Sequence, residues 1–252
     1  MYILLTNDDG INSAGIQTLK NELQKNGHEI LVVAPSRNQS GCSHSMSFYK
    51  KILLKKIGKS ANCIEYSLDG TPADCVKLGI SKLADKKIDL VISGVNDLAN
   101  SGTDLLYSGT FHGAFEGTVC GVDSVAISAV NEEYIETAVD FLLKNLEIIK
   151  NNFFEKPLTL NINVPNKADK LCGVKICPIG VKKYEDLYEE IATDNPDETE
   201  YLLYGDEIHS EHNQLDCDVN LLKQNYITVT PITIELVNNY KYCEKLKDIA
   251  LS

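Results

Sequence analysis

The run Ile3-Leu4-Leu5 is apolar without alternation, and it stops abruptly at Thr6-Asn7-Asp8-Asp9-Gly10. A strand with no polar face is one buried on both sides, the pattern of a parallel sheet covered by helices. This narrows the chain to an α/β architecture. It also places two adjacent carboxylates at the carboxyl end of a buried strand. There they repel each other, and desolvation disfavours their charge. Ligands of open α/β sheets bind outside the carboxyl ends of the strands. A divalent cation held by Asp8 and Asp9 would relieve both penalties. The same residues also suit a solvated turn that caps the next helix, since Asn, Asp and Gly dominate turns.

Ile16, Leu19 and Leu23 fall on one helical face, which predicts a helix over about Ser13 to Asn26 with Gly27 ending it. Ile30-Leu-Val-Val-Ala34 is a second buried strand, stopped by Pro35. Strand, helix and strand in this order make a βαβ unit with a right-handed crossover. Its first turn is acidic and lacks Gly-x-Gly-x-x-Gly, where a dinucleotide pyrophosphate needs glycine and backbone N–H groups. NAD and FAD are therefore excluded.

Further elements follow in order. Residues 50 to 59 carry five lysines and read as an exposed strand or hairpin. Thr71, Pro72 and Asp74 suit the N-cap, first position and first turn of a helix whose buried face continues through Val76, Ile80 and Leu83. Ile88 to Ile92 is a strand that opens into a loop rich in Asn, Asp, Ser and Gly, Ser93 to Asp104. A small-residue helix over His112 to Val119 comes next. Ser108, Gly109 and Thr110 stand at its start, where free N–H groups favour an anion; an ordinary Ser/Thr cap fits them as well. Ser124 to Ser128 is another buried strand. Ile135, Val139, Leu142, Leu146 and Ile149 line one side of a helix over about Glu132 to Lys150. Leu158 to Val164 alternates strictly and reads as a half-exposed strand. Residues 184 to 208 hold ten acidic residues, four tyrosines and no Lys or Arg. That composition predicts an arm or hairpin outside the core. Ile227 to Pro231 is a late strand, and the C-terminal residues read as helical.

Length and charge close off several classes. The 252 residues suit one large α/β domain, and the net charge of −12 argues against a nucleic-acid surface. No basic region precedes a long apolar core, so no signal peptide is expected, and no apolar run is long enough to span a membrane. The eight cysteines include no Cys-x-x-Cys pair. They read as reduced thiols of a cytoplasmic protein. His209, His212 and Cys217 leave a zinc site open, though without the usual ligand spacing.

Taken together, Thr6-Asn-Asp-Asp-Gly10, Ala34-Pro35 with Gln39-Ser-Gly41, Gly70-Thr-Pro-Ala-Asp-Cys75, Ser93-Gly-Val-Asn96, Tyr107-Ser-Gly-Thr110, Glu116-Gly117, Asn161-Ile-Asn-Val-Pro165 and Val229-Thr-Pro231 resemble the SurE family of survival-protein phosphatases, which are metal-dependent nucleotidases. The resemblance covers most of the chain. It implies a Rossmann-like, mostly parallel sheet with helices on both faces, one domain over residues 1–252, and an extended C-terminal arm over about residues 184–210 exchanged between subunits of a dimer or tetramer. By resemblance, Asp8, Asp9, Ser40 and Asn96 are the metal ligands, and Asn96, Ser108, Gly109 and Thr110 lie against the substrate phosphate. Leu98 stands where the family commonly has glycine, and a left-handed backbone there would strain it. Asp123 replaces a common proline, and Lys223-Gln-Asn-Tyr226 lacks the usual glycine before its aromatic residue.

Two carboxylates with Ser and Asn oxygens suit one Mg²⁺ or Mn²⁺ per subunit and suit zinc poorly. The expected reaction is hydrolysis of a nucleoside 5′- or 3′-monophosphate by metal-activated water, with Asp8 or Asp9 orienting that water. A covalent aspartyl-phosphate is the competing route, although the Asp-x-Asp pattern of haloacid-dehalogenase-like phosphatases is absent. A nucleotide-binding sensor of the same fold is the alternative function. A glycosyltransferase-like enzyme would need a second lobe for which the chain is too short.

Overall fold

A computed structural model describes residues 1–152, 156–195, 197–208 and 213–234. β1 (Tyr2–Thr6), α1 (Ala14–Lys25) and β2 (Glu29–Pro35) form the expected βαβ unit. β3 (Leu54–Lys59) and β4 (Cys63–Leu68) make a hairpin that puts the lysine-rich segment on the sheet edge. Lysines at an edge discourage pairing with another chain. α2 (Pro72–Leu78) begins in a capping box: the Thr71 hydroxyl accepts from Asp74 N–H while the Asp74 carboxylate accepts from Thr71 N–H. β5 (Leu90–Asn96), α3 (Gly109–Val119), β6 (Ser124–Ala129) and α4 (Ile135–Asn152) follow. The five residues predicted to form the apolar side of α4 are all buried.

β7 (Thr159–Val164) and β8 (Gly173–Ile176) lead to four strands outside the main sheet: β9 (Lys183–Tyr184), β10 (Leu187–Ala192), β11 (Thr199–Tyr204) and β12 (Glu207–Ile208). β10 pairs antiparallel with β11, and β9 with β12. Every residue of β10 and β11 is exposed. α5 (Asp218–Lys223) and β13 (Tyr226–Ile232) return to the core. The C-terminal helix and the histidines of the zinc expectation fall outside the described residues.

The main sheet has nine strands in the order β3-β4-β2-β1-β5-β6-β7-β13-β8. Six of its neighbouring pairs are parallel; β3 with β4 and β13 with β7 run antiparallel. On one face Ile3 and Leu5 pack with residues of α1 and α4. On the other, Tyr2 and Leu4 pack with Cys75 and Val76 of α2. The chain builds β2 and β4 to one side of β1, then crosses to the other side for β5. The strand order therefore reverses beside β1, and the crevice at that switch point opens where the Asp8–Asp9 loop begins.

One expectation is corrected. β7 is buried along its whole length and not half-exposed. Its polar positions face other protein groups instead of water: Thr159 shares a hydrogen bond with the Thr118 hydroxyl, and the two asparagines reach Asn100. Asn161 and Asn163 each donate to the Asn100 carbonyl, at 2.8 and 3.0 Å, and Asn163 Oδ1 accepts from Asn100 N–H at 2.8 Å. Asn100 Nδ2 donates to Ser128 Oγ at 2.9 Å. These bonds offset part of the cost of burying the amides, while Asn161 Oδ1 is buried without a partner. It also pins the loop after β5 to the sheet.

Candidate active site

Asn7 shapes the first loop. It is buried, and its Nδ2 donates to Gly10 O at 3.0 Å and to Ser13 Oγ at 2.7 Å, while its Oδ1 accepts from Gly10 N–H at 3.2 Å. Gly10 has φ +101 and packs close to Pro35 O and Arg37, so a side chain there would be both strained and crowded. With Asn7 closing the turn, neither Asp8 nor Asp9 caps α1; the N-cap position is Ser13. Asp8 is only 4% exposed, which does not fit a solvated turn.

The second loop reaches Asp8 through its backbone: Gln39 N–H donates to Asp8 O at 2.7 Å. Ser40 follows on the exposed side, its N–H held by Asn38 Oδ1 at 2.8 Å. Asn96 is the last residue of β5, and its Nδ2 donates to Leu98 O at 2.6 Å. Ser108 is the N-cap of α3, with its Oγ accepting from Phe111 N–H at 2.9 Å. Gly109 leaves no room for a side chain, because a Cβ there would stand 2.7 Å from Asp8 Cβ and 2.9 Å from both Asp8 Oδ2 and Cys42 Sγ. Thr110 Oγ1 donates to Asp8 Oδ1 at 2.5 Å. The segment leading into Ser40 and the start of α3 thus both meet Asp8, with Asn96 on the strand beside β1. Thr110 turns its hydroxyl toward Asp8.

The electrostatics are those of an uncompensated acidic site. Burial raises the pKa of Asp8, opposed by the Thr110 bond. Asp9 is pushed up to about 7, by burial first and then by Asp8 and Asp97. Among the described residues no Lys or Arg pairs with any of the three. Nor do three or more His, Cys, Asp or Glu side chains gather as a metal cluster. Two adjacent carboxylates with no Lys or Arg beside them among the described residues suit a hard divalent cation that keeps waters in its shell.

Sequence reading missed Asp97, which lies in the third loop and acts on both aspartates. Glu116 entered only as part of the resemblance, and its buried carboxylate, nearly two turns further along α3, was given no role. Glu116 is 2% exposed, accepts from or pairs with His44 Nε2 at 2.8 Å, and is paired with Lys77. The His44 and His112 rings stack at 5.0 Å. His44 follows the Ser40 loop by four residues, so this cluster braces that loop against α2 and α3.

The family model described as survival protein SurE matches residues 3–186. The chain belongs to the SurE family. It is 40% identical over 243 residues to the 5′-nucleotidase SurE of Clostridium tetani, covering 94% of this chain and 96% of that one. It is 39% identical over 251 residues to that of Natranaerobius thermophilus, with 96% of each covered. The crystal structure of the SurE protein from Aquifex aeolicus superposes with a TM-score of 0.82 at 34% identity, covering 98% of both chains.

Two of the departures from the SurE pattern are absorbed without strain. Leu98 is not among the positive-φ residues, so its side chain is accommodated on ordinary backbone. Asn225 has φ +61 before the aromatic Tyr226 and takes the conformation a glycine would supply; Asn tolerates it better than most residues. Asp123, in place of proline, pairs with Lys150 at 2.6 Å.

Proposed function

We propose that this protein is a phosphomonoesterase that hydrolyses nucleoside 5′- and 3′-monophosphates to nucleoside and inorganic phosphate. The observation that carries this reading is the Asp8–Asp9 pair, crowded and without a cationic partner among the described residues, set beside the N-terminus of an eleven-residue helix. A cation between the carboxylates and a phosphate at the helix start answer both features. The SurE relatives from Clostridium tetani and Natranaerobius thermophilus are named 5′-nucleotidases, which supports the 5′ part of this reading.

In this reading Asp8, Asp9, Ser40 and Asn96 hold one Mg²⁺ or Mn²⁺ per subunit. The metal, when bound, supplies charge to polarise the phosphoryl group and lowers the pKa of water. Asp8 or Asp9 holds the attacking water by its protons. Thr110 fixes the orientation of Asp8. Asn96 and the Ser108 hydroxyl, which accepts from Phe111 and so keeps its own proton to donate, bind phosphate oxygens together with the Gly109 and Thr110 segment. Release of phosphate from a nucleotide panel, measured in EDTA and in excess Mg²⁺ or Mn²⁺, tests the reading. Binding of nucleotides without release would favour a sensor instead.

We further assign the arm over about residues 184–210 to a subunit interface, giving a homodimer or tetramer. An isolated two-stranded hairpin is marginal in water, yet β10 and β11 expose Leu187, Tyr188, Ile191 and Tyr201 through Tyr204. The site of action is the cytoplasm. The seven described cysteines are free, and no described helix is long and apolar enough to cross a membrane.

A further inference from the structure

The start of α3 accounts for a phosphate and leaves the nucleoside unplaced. Beside it lies a cleft of about 790 Å³, a size typical of small-molecule sites. One wall is the short 3-10 helix Gly102–Leu106 with the following Tyr107; the other is the root of the arm. Tyr107 is 67% exposed and immediately precedes Ser108. Tyr184 and Tyr204 stand on the arm side, with Leu106 and Leu203 adding apolar surface.

Hydrogen bonds brace these walls against each other. The Asp104 carboxylate accepts from the Tyr184 hydroxyl at 2.9 and 3.0 Å and pairs with Lys182 at 2.7 Å. Its backbone carbonyl meanwhile accepts from Tyr107 N–H at 3.0 Å and Ser108 N–H at 3.1 Å. One residue therefore joins the arm root to the segment entering α3. Thr103 Oγ1 donates to Lys182 O at 2.6 Å, and the buried Asp218 accepts from Gly102 N–H at 2.9 Å and Gly180 N–H at 2.6 Å. Ser43 N–H reaches the Tyr107 carbonyl at 3.0 Å, tying the same wall to the Ser40 loop. A cleft held this way is shaped before its ligand arrives, which lowers the ordering cost of binding.

We propose that this cleft receives the nucleobase, with the Tyr107 ring as stacking face and the arm root as the opposite wall. The proposal rests on the phosphomonoesterase reading and adds where the leaving nucleoside lies. A planar heterocycle matches the lining on two counts: aromatic faces on which it can stack, and apolar surface that it covers. The site at α3 and the cleft share the Tyr107–Ser108 peptide, so one ligand can bridge them.

The test compares adenosine 5′-monophosphate with ribose 5-phosphate, which keeps the ester and lacks the base. Tyr107→Ala should raise KM for the nucleotide about tenfold more than for the sugar phosphate, the size expected for one lost base–aromatic stack. Tyr107→Phe, which keeps the ring, should keep the parent's ratio of KM between the two esters. Tyr204→Ala, on the other wall, should repeat the selective loss. Equal changes for both esters would overturn the proposal, and so would an unchanged ratio in Tyr107→Ala. A second copy filling the cleft would show as a change of mass in light scattering on Tyr107→Ala with the ratio unmoved, and that outcome also overturns it. A parent that releases phosphate from neither ester removes the phosphomonoesterase reading and the base site together. A parent active on both, with an unaltered ratio in the variants, removes the base site alone.

Discussion

Thr110 and Asp8 are 102 residues apart in the chain, and the threonine hydroxyl donates to the aspartate carboxylate across 2.5 Å. The bond fastens the loop after β1 to the start of α3. It occupies Oδ1 of Asp8 and leaves Oδ2 against Gly109. Thr110→Val keeps the shape and removes the donor. Loss of one hydrogen bond to a buried carboxylate should lower stability by about 1–3 kcal/mol. Asp8 should then hold its proton to higher pH, because the Thr110 bond now works against burial. Urea unfolding and the acid limb of the rate–pH profile report these two effects separately.

Asp9 gives a pH-dependent stability of known sign. Its folded pKa is about 7 against an ordinary 3.8. Between those values the folded state keeps a proton that the unfolded chain has released, so the metal-free protein loses stability as pH rises across that window and levels off above it. Asp9→Asn should flatten this dependence in EDTA. Melting scans from about pH 4 to pH 8 check it. Both Asp8→Asn and Asp9→Asn should lose most metal-dependent phosphate release and most of the metal-induced rise in melting temperature. Metal stabilisation of the parent should be about 2.7 kcal/mol at a hundredfold excess over its dissociation constant.

Glu116 behaves in the opposite sense. Burial acts to raise its pKa, but bonds from His44 and Lys77 carry it below the ordinary value. Its contribution is present above the usual glutamate range and disappears as pH falls below it. Glu116→Gln puts an amide donor against Lys77 or His44 and should cost about 1–3 kcal/mol in urea unfolding at pH 7. The parent and variant curves should draw together in acid.

Gly109→Ala places a methyl group against Asp8 and Cys42 at separations below van der Waals contact. Overpacking of this kind typically costs about 1–3 kcal/mol. The larger effect should be on activity, since relief requires moving α3 away from Asp8. Phosphate release should fall well below the parent while circular dichroism stays unchanged.

The arm makes a prediction about mass. Leu202→Asp changes one exposed residue of β11 outside the cleft and disturbs nothing buried. If the hairpin is covered by a second subunit, light scattering at micromolar concentration should show a smaller particle than the parent. A parent that is itself monomeric would remove the interface.

What was legible in the sequence was whatever depends on neighbours along the chain. The unalternating runs of β1 and β2, the Thr71-Pro72-Asp74 start of α2 and the apolar side of α4 all read directly. Asn161 and Asn163 misled because alternation reports polarity, and here the polar partners are amides of Asn100 instead of water. Asp8, Ser40 and the start of α3 were grouped by resemblance, and the fold explains the grouping through the strand-order reversal beside β1. The Glu116 cluster and the Asp104 brace stayed hidden because their partners lie 72 and 80 residues away. No local pattern marks such a pair. Asp97 escaped as one more polar residue in a polar loop.

The position of β1 inside the sheet also sets an order of assembly during synthesis. Tyr2 N–H bonds to Asp89, 87 residues later, at the entrance to β5. A nascent chain that has released only the first βαβ unit has β1 paired on one edge, with its other edge and the acidic loop open. The crevice gains its second wall when β5 emerges, and Asp8 gains its hydroxyl donor only with Thr110. Roughly the first half of the chain must therefore leave the ribosome before the site can close. Until then the unpaired edge of β1 is exposed, and truncated chains ending before β5 should be the ones that aggregate.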